Sequence, residues 1–189
     1  SGSIFVCDLG NNRIQVFKEV TTGSNNKAIV LAGGGSYSGN NLWDVTQMCA
    51  NFAYRTLTYQ GFTKESIYYL TSDTDLDLDS NGVLDDVDAN ATNGNLQQAI
   101  TGWAADADGV LIYLVDHGGT GTFRMSSTET LSATDLNSWL NSLQETMPGK
   151  VTIIYDACKS GSFLQMLAAP AGRERVLITS TSPSETAKF

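Results

Sequence analysis

The chain has 189 residues, 41% apolar and 16% charged, a globular balance that suits one sizeable domain and not a disordered segment. Its 11 Lys and Arg against 20 Asp and Glu give a formal net charge of -9, which argues against nucleic acid as a partner, because neutralising phosphates needs a basic face. No run of about 18 apolar residues is present, so no membrane insertion is expected, and Cys7, Cys49 and Cys158 lack the CxxC spacing of a zinc or thioredoxin site.

Residues 1–20 contain IFVCDLGNNRIQVF, two β-prone stretches around Gly10-Asn11-Asn12, which is hairpin turn chemistry. The stretch resembles the end of an NHL-type propeller repeat. One unit cannot build a propeller. Either a β-propeller precedes it in a longer chain or the hairpin packs on the following domain. Residues 21–26, TTGSNN, read as a linker.

From Lys27 to Phe189 short apolar strands alternate with amphipathic helices. Candidate strands are 28–32, 67–70, 109–115, 151–155 and 175–180, too uniformly apolar to face solvent on either side. Between them, Leu42, Val45, Cys49, Phe52 and Thr56 fall on one helical face, Leu96, Ile100 and Trp103 on a second, and Leu136, Leu140 and Leu143 on a third. Ser132, three residues before Asp135, predicts the start of that third helix. The alternation predicts an α/β fold, a three-layer α/β/α sandwich with a mainly parallel sheet whose chemistry lies beyond the carboxyl ends of the strands. A flavodoxin-like redox or receiver domain shares this pattern, but its acidic pocket needs a carboxylate after the first strand, where Gly33-Gly34-Gly35 stand.

After the second strand comes an acidic loop, residues 73–88. Counted from Asp77, oxygen-bearing side chains fall at EF-hand positions in Asp77, Asp79, Asn81, Asp85 and Asp88, with Gly82 at the bend and Val83 offering its carbonyl. The final ligand is Asp88 and not the usual longer Glu, and no clear helices flank the loop. It resembles the isolated calcium loops of thrombospondin type 3 and dockerin repeats, and predicts a structural Ca2+ against the alternative of a solvated acidic loop. A calcium site of this kind suits extracellular calcium levels, and the chain is expected to belong to an exported protein, extracellular or periplasmic and bacterial.

Two strand ends carry reactive side chains. The strand 109–115 runs into Asp116-His117-Gly118-Gly119, and the strand 151–155 into Asp156-Ala157-Cys158-Lys159-Ser160-Gly161-Ser162. His117 is the only histidine, hence the one imidazole able to shuttle protons near neutrality. A cysteine is already partly ionised there, and a tight turn of small residues after it would place backbone amides near a thiolate or oxyanion. A lone histidine is more often structural, and a strand-end cysteine is more often a small buried hydrophobe; the pairing on consecutive core strands favours chemistry.

These blocks, with KAIVLAGGGSYSGNN (27–41), ATNGNLQQAI (91–100) and RVLITSTSPSET (175–186), resemble the clan CD cysteine peptidases, of caspase-like fold, and the legumain (C13) family in particular. The resemblance implies Cys158 as nucleophile, His117 as partner to the leaving amine, and an oxyanion hole from the amides of Gly118 and Cys158. Asn41 falls where legumains keep an asparagine that orients the histidine, although Asn40 is adjacent and either residue could serve the turn. Legumain's asparagine preference uses an arginine where Trp43 stands, so that preference does not carry over. Asp156 takes the place of the family's acidic S1 residue and favours Lys or Arg at P1, unless it caps the turn. Thr181 and Ser182 lie in the segment that resembles the cleft wall. Further family strands are expected after Phe189.

The resulting expectation is a cysteine endopeptidase acting on a protein or peptide substrate through a Cys158 thioester, with no organic cofactor. Two alternatives stand beside it: a transpeptidase or transamidase of the same family, and a catalytically idle calcium-binding adhesion or scaffold module.

Overall fold

Strands that are apolar on both faces need cover on both faces, and this chain supplies it with helices. A computed structural model describes the backbone of residues 3–8 and 13–18 and the whole of residues 24–188. In chain order, β1 (Ser3–Asp8) and β2 (Arg13–Lys18) pair antiparallel. The expected turn at Gly10-Asn11-Asn12 lies outside the described residues. The central sheet takes β3 (Asn26–Ala32), then α1 (Trp43–Tyr59), β4 (Ile67–Leu70), α2 (Asn93–Gln98) and β5 (Gly109–Val115). A small antiparallel sheet follows, β6 (Gly118–Gly119), β7 (Thr122–Arg124) and β8 (Thr130–Ser132), then α3 (Ala133–Thr146), β9 (Val151–Asp156) and β10 (Arg175–Thr179).

The central sheet has the order β10-β9-β5-β3-β4 with every pair parallel. One face buries Leu31, Ile112, Leu114 and Ile153 against Leu96, Ile100, Leu136, Leu140 and Leu143 from α2, α3 and the turn between α2 and β5. The other buries Ala28, Val30, Tyr69 and Val115 against Ala50, Tyr54 and Leu57 of α1. The expected three-layer α/β/α sandwich is therefore present. Because β4 lies on one side of β3 and β5 on the other, the chain reverses its winding there, and open α/β sheets bind ligands beyond the carboxyl ends of the strands at such a point.

Sequence periodicity placed two of the three helical faces. Leu136, Leu140 and Leu143 are buried, and Ser132 Oγ accepts the Asp135 N–H at 3.0 Å as the expected N-cap. Leu96 and Ile100 are buried too, although the helix widens after Gln98 into a π-turn over Ala99–Trp103. The face of α1 differs from the expectation. Thr46, Ala50, Tyr54 and Leu57 turn inward, while Phe52 is 53% exposed. The physical reason is a pair of buried carboxylates: Thr46 donates to Asp116 and Tyr54 to Asp86, so polar-tipped residues occupy the inward stripe and rotate the helix about its axis. The end of the expected linker 21–26 is also structured. Asn26 opens β3, and the Asn25 N–H donates to Asp108 Oδ2 at 2.6 Å.

Candidate active site

The register of β5 on β9 pairs Val115 with Asp156, so His117 and Cys158 each stand two residues past a paired position on adjacent strands. The loops carrying them are pressed together through backbone. A Cβ on Gly118 would run into the Cys158 carbonyl and lie 2.8 Å from the Tyr155 hydroxyl and 2.9 Å from Ala157 Cβ, so only glycine fits there. The Gly121 N–H donates to Ser162 Oγ at 2.9 Å, and Tyr155 donates to the Thr122 carbonyl at 3.1 Å, adding two further ties between the loops.

His117 Nε2 lies 3.2 Å from Asn40 Oδ1. The orientation of the Asn40 amide is set by its other partners: Nδ2 donates to the Gly35 carbonyl at 2.9 Å and Oδ1 accepts the Leu42 N–H at 3.1 Å. Since Oδ1 can only accept, His117 Nε2 is the donor, which leaves Nδ1 as the acceptor of the neutral ring. Asn41, the asparagine expected to hold the histidine, is exposed, and its neighbour meets the ring instead. Gly39 at φ +99° and the Asn40 N–H on the Tyr37 carbonyl close a turn that aims residue 40, not 41, at the strand end.

Asp116 is fully buried beside this pair. Its Oδ1 accepts the His117 N–H at 2.5 Å and its Oδ2 accepts Thr46 Oγ1 at 3.1 Å. Burial pushes its carboxyl above the ordinary range, opposed by the His117 amide, the His117 charge and hydrogen bonds from Thr46 and Asn40.

Cys158 is a half-buried free thiol in a tight turn. Lys159, the next residue, sits at φ 56°, a left-handed conformation unusual for a side chain with a Cβ. The turn is clamped from the segment after β10. The Ala157 N–H donates to Ser180 Oγ at 3.2 Å, the Lys159 N–H to the Glu185 carbonyl at 2.7 Å, and the Ser160 N–H to Thr181 Oγ1 at 3.0 Å. Between these satisfied amides, the Cys158 N–H has no acceptor among the described residues. The arrangement presents a thiol, an imidazole and an amide donor on one edge, the groups that acyl transfer uses.

The four expected S1 residues have different surroundings. Asp156 ends β9 half-buried, facing Tyr113 and Cys49. Burial first, and the Asp156 charge second, push the Cys49 thiol up to about 11 and the Tyr113 phenol well above its usual value. Trp43 opens α1 and is half-buried against the core of that face. Thr181 is committed to the cysteine turn, because its hydroxyl also donates to the Ala157 carbonyl at 3.0 Å, so it braces the turn instead of offering its hydroxyl to a pocket. Ser182 is exposed, and its N–H donates to Glu185 Oε2 at 3.0 Å. Sequence reasoning did not single out Thr46 or Glu185. Nothing in the local pattern marks them, since each acts on a partner distant in sequence.

In the acidic loop, carboxylate oxygens of Asp77, Asp79 and Asp86 lie within 4.8 Å of one another. Asp77 accepts the N–H groups of Asn81 and Gly82 at 3.1 and 2.9 Å, and Asn81 Oδ1 accepts the Val83 N–H at 2.7 Å, so the chain is already folded around the expected first ligands. Two expected ligands are elsewhere. Asp85 pairs with Lys64 at 2.5 Å, and Asp88 Oδ2 accepts the Tyr69 N–H of β4 at 2.7 Å. Asp86, 2% exposed, joins the cluster in their place. Burial alone would raise its pKa, but the Tyr54 hydroxyl and the amides of Leu78 and Asp79 reverse that and hold it below the usual carboxylate value. The Val83 side chain is 53% exposed.

Residues 88–189, more than half of the chain, match the sequence model of the peptidase C13 family. A solved structure of caspase-1 from Spodoptera frugiperda superposes with a TM-score of 0.52 at 14% identity, over 86% of this chain and 61% of that one. The chain thus spans under two thirds of that relative, and at this identity the likeness speaks for the fold, which is the caspase-like fold of clan CD cysteine peptidases. No curated protein matches the sequence. The C13 match includes both strand ends with His117 and Cys158 and leaves out residues 27–87, where Asn40 lies. The chain belongs to the peptidase C13 family.

Proposed function

We propose that the chain is the catalytic part of a cysteine endopeptidase. Cys158 Sγ passes its proton to His117 and attacks the scissile carbonyl, and the amides of Cys158 and Gly118 hold the oxyanion of the tetrahedral intermediate. The intermediate collapses as His117 delivers the proton to the leaving amine, and water then hydrolyses the Cys158 thioester. The observation that carries this reading is the shared position of His117 and Cys158 past the Val115–Asp156 pair, with the two loops closed on each other at Gly118. Asp156, two residues before the nucleophile, places a carboxylate beside the site and favours Lys or Arg at P1.

The test is labelling by a peptidyl-arginyl acyloxymethyl ketone. One equivalent should attach to Cys158 in the folded protein, and His117→Ala should abolish attachment. A folded wild-type chain that takes up neither this reagent nor its asparaginyl and aspartyl counterparts would sink the peptidase reading. Uptake of the asparaginyl reagent alone would remove only the role given to Asp156.

The same reading treats Asp77, Asp79 and Asp86, with Asn81 and the Val83 carbonyl, as oxygen ligands for a structural Ca2+. The support is their convergence on a loop already turned by Asp77 and Gly82.

A further inference from the structure

We propose that Asp116 is a positioning residue for His117, acting through Asn40 and secured by Thr46, so that the reactive pair is a four-residue relay anchored on a buried anion. The proposal rests on the reading of Cys158 and His117 as a reactive pair, and goes beyond it in assigning Asp116 and Thr46.

A carboxylate with no exposed surface is expensive unless a cation or several donors compensate it. Among the described residues the ion pairs are Lys27 with Asp106 and Lys64 with Asp85, and neither involves Asp116. Its partners are the His117 amide, the Thr46 hydroxyl and the Asn40 side chain. A residue needed only to cap the end of β5 would require one oxygen, the one taken by the His117 amide. The second oxygen faces Asn40 and Thr46.

That second oxygen decides the polarity of Asn40. With Nδ2 directed at the Gly35 carbonyl and Asp116, and Oδ1 at the Leu42 amide and His117, the amide has a full complement of partners. Rotating it by half a turn would set its carbonyl against a carbonyl and a carboxylate, and its NH2 against an amide hydrogen. Asp116 thereby keeps Oδ1 on His117 Nε2 and leaves Nδ1 open. The closure is tight: a Cβ on Gly34, at φ +76°, would collide with Asp116 Oδ2 and lie 2.6 Å from Asn40 Nδ2. The Asp116 carboxylate and the charge of the adjacent His117 attract each other.

The other titratable groups around the relay come from the β9 side. They are Tyr155, whose phenol is raised by burial and by Cys158 and Asp116, Asp156, whose carbonyl accepts the Asp116 N–H at 3.4 Å, and Cys158 itself. From α1, Thr46 is neutral and Cys49 stands by Asp156.

The test is the pH dependence of Cys158 alkylation by iodoacetamide, followed by mass spectrometry, which needs no substrate. Asp116→Asn keeps the shape and removes the charge, and should move the acid limb of the profile up by about one pH unit, a roughly tenfold slower reaction at pH 5–6. Thr46→Val should move it the same way by about threefold, because losing a donor makes Asp116 easier to protonate; Thr46→Ser should restore the wild-type profile. If Asp116→Asn does not fold, the Val and Ser pair decides. An unchanged limb in folded Asp116→Asn, or identical limbs for Thr46→Val and Thr46→Ser, overturns the proposal. A wild-type profile insensitive to His117→Ala removes the pair and the relay together. The expected shifts in a protein that cleaves no peptide would leave the relay standing and the peptidase reading refuted.

Discussion

Gly118 and Cys158 touch through backbone: the space a side chain would need at residue 118 is filled by the Cys158 carbonyl, with the Tyr155 hydroxyl 2.8 Å from where its Cβ would lie. This contact sets the spacing between the histidine and cysteine loops, and any atom added there must push them apart. Gly118→Ala should therefore slow ketone labelling of Cys158 by at least tenfold and destabilise the fold by about 1–3 kcal/mol, as overpacking does. Labelling rate and chemical denaturation would be measured side by side. An alanine variant that labels at the wild-type rate would show that the contact does not govern the site.

Lys159 holds φ 56° immediately after the nucleophile candidate, at a cost of about 1 kcal/mol for a residue with a Cβ. Its N–H donates to the Glu185 carbonyl at 2.7 Å, a bond that survives any substitution except proline. Lys159→Gly removes the steric cost and keeps the bond, while giving the unfolded chain more freedom. The expected result is a stability within about 0.5 kcal/mol of wild type or higher, whereas Lys159→Val should lose about 1–2 kcal/mol. Equilibrium unfolding of the two variants checks the order.

Most strands were legible in the sequence because a short run apolar on both faces suits a covered parallel sheet, but β10, expected to be shielded likewise, lies at the sheet edge with Val176 36% exposed. The reactive ends followed from the strands, since Val115 and Asp156 pair in register and His117 and Cys158 come two residues later. What local pattern did not disclose was decided by distant partners. The inward face of α1 is set by Thr46 on Asp116 and Tyr54 on Asp86, pairs separated by 70 and 32 residues. The choice of Asn40 over Asn41 depends on a one-residue difference in where a glycine turn ends. Asp86 replaced Asp85 and Asp88 because an EF-hand relies on its exit helix to carry the last ligand inward, and here Asp88 is held by β4 instead.

That rearranged loop makes a discriminating prediction for calcium. If Asp77, Asp79 and Asp86 are the ligands, millimolar Ca2+ should raise the melting temperature and excess chelator should reverse the rise. Asp79→Ala should abolish the response, since Asp79 is exposed and the bonds its carboxylate accepts, from the Asn81 amide and Nδ2 at 3.0 Å, lie within the loop itself. Asp85→Ala should keep it, because Asp85 is engaged with Lys64 at the surface. A response lost in Asp85→Ala and kept in Asp79→Ala would return the ligand set to the regular EF-hand spacing.

Cys49 and Cys158 are both free and both half-buried, so exposure alone does not separate their reactivity. Electrostatics does for Cys49. Burial, reinforced by the Asp156 charge, pushes its thiol up to about 11 from the model-compound value of 9.0, and the thiolate is the reacting form. At pH 8 that leaves about one Cys49 in a thousand ionised. Iodoacetamide at pH 8 should therefore leave Cys49 almost unmodified over times that alkylate an ordinary thiol, and its alkylation should climb about tenfold per pH unit until near pH 11. Asp156→Asn removes one of the two causes and should accelerate Cys49 alkylation at pH 8. Peptide mapping after timed quenching reads both sites in one sample. If Cys49 reacts as fast as an ordinary thiol at pH 8, its thiol is not raised, and if Asp156→Asn leaves its rate unchanged, the Asp156 carboxylate does not act on it in solution.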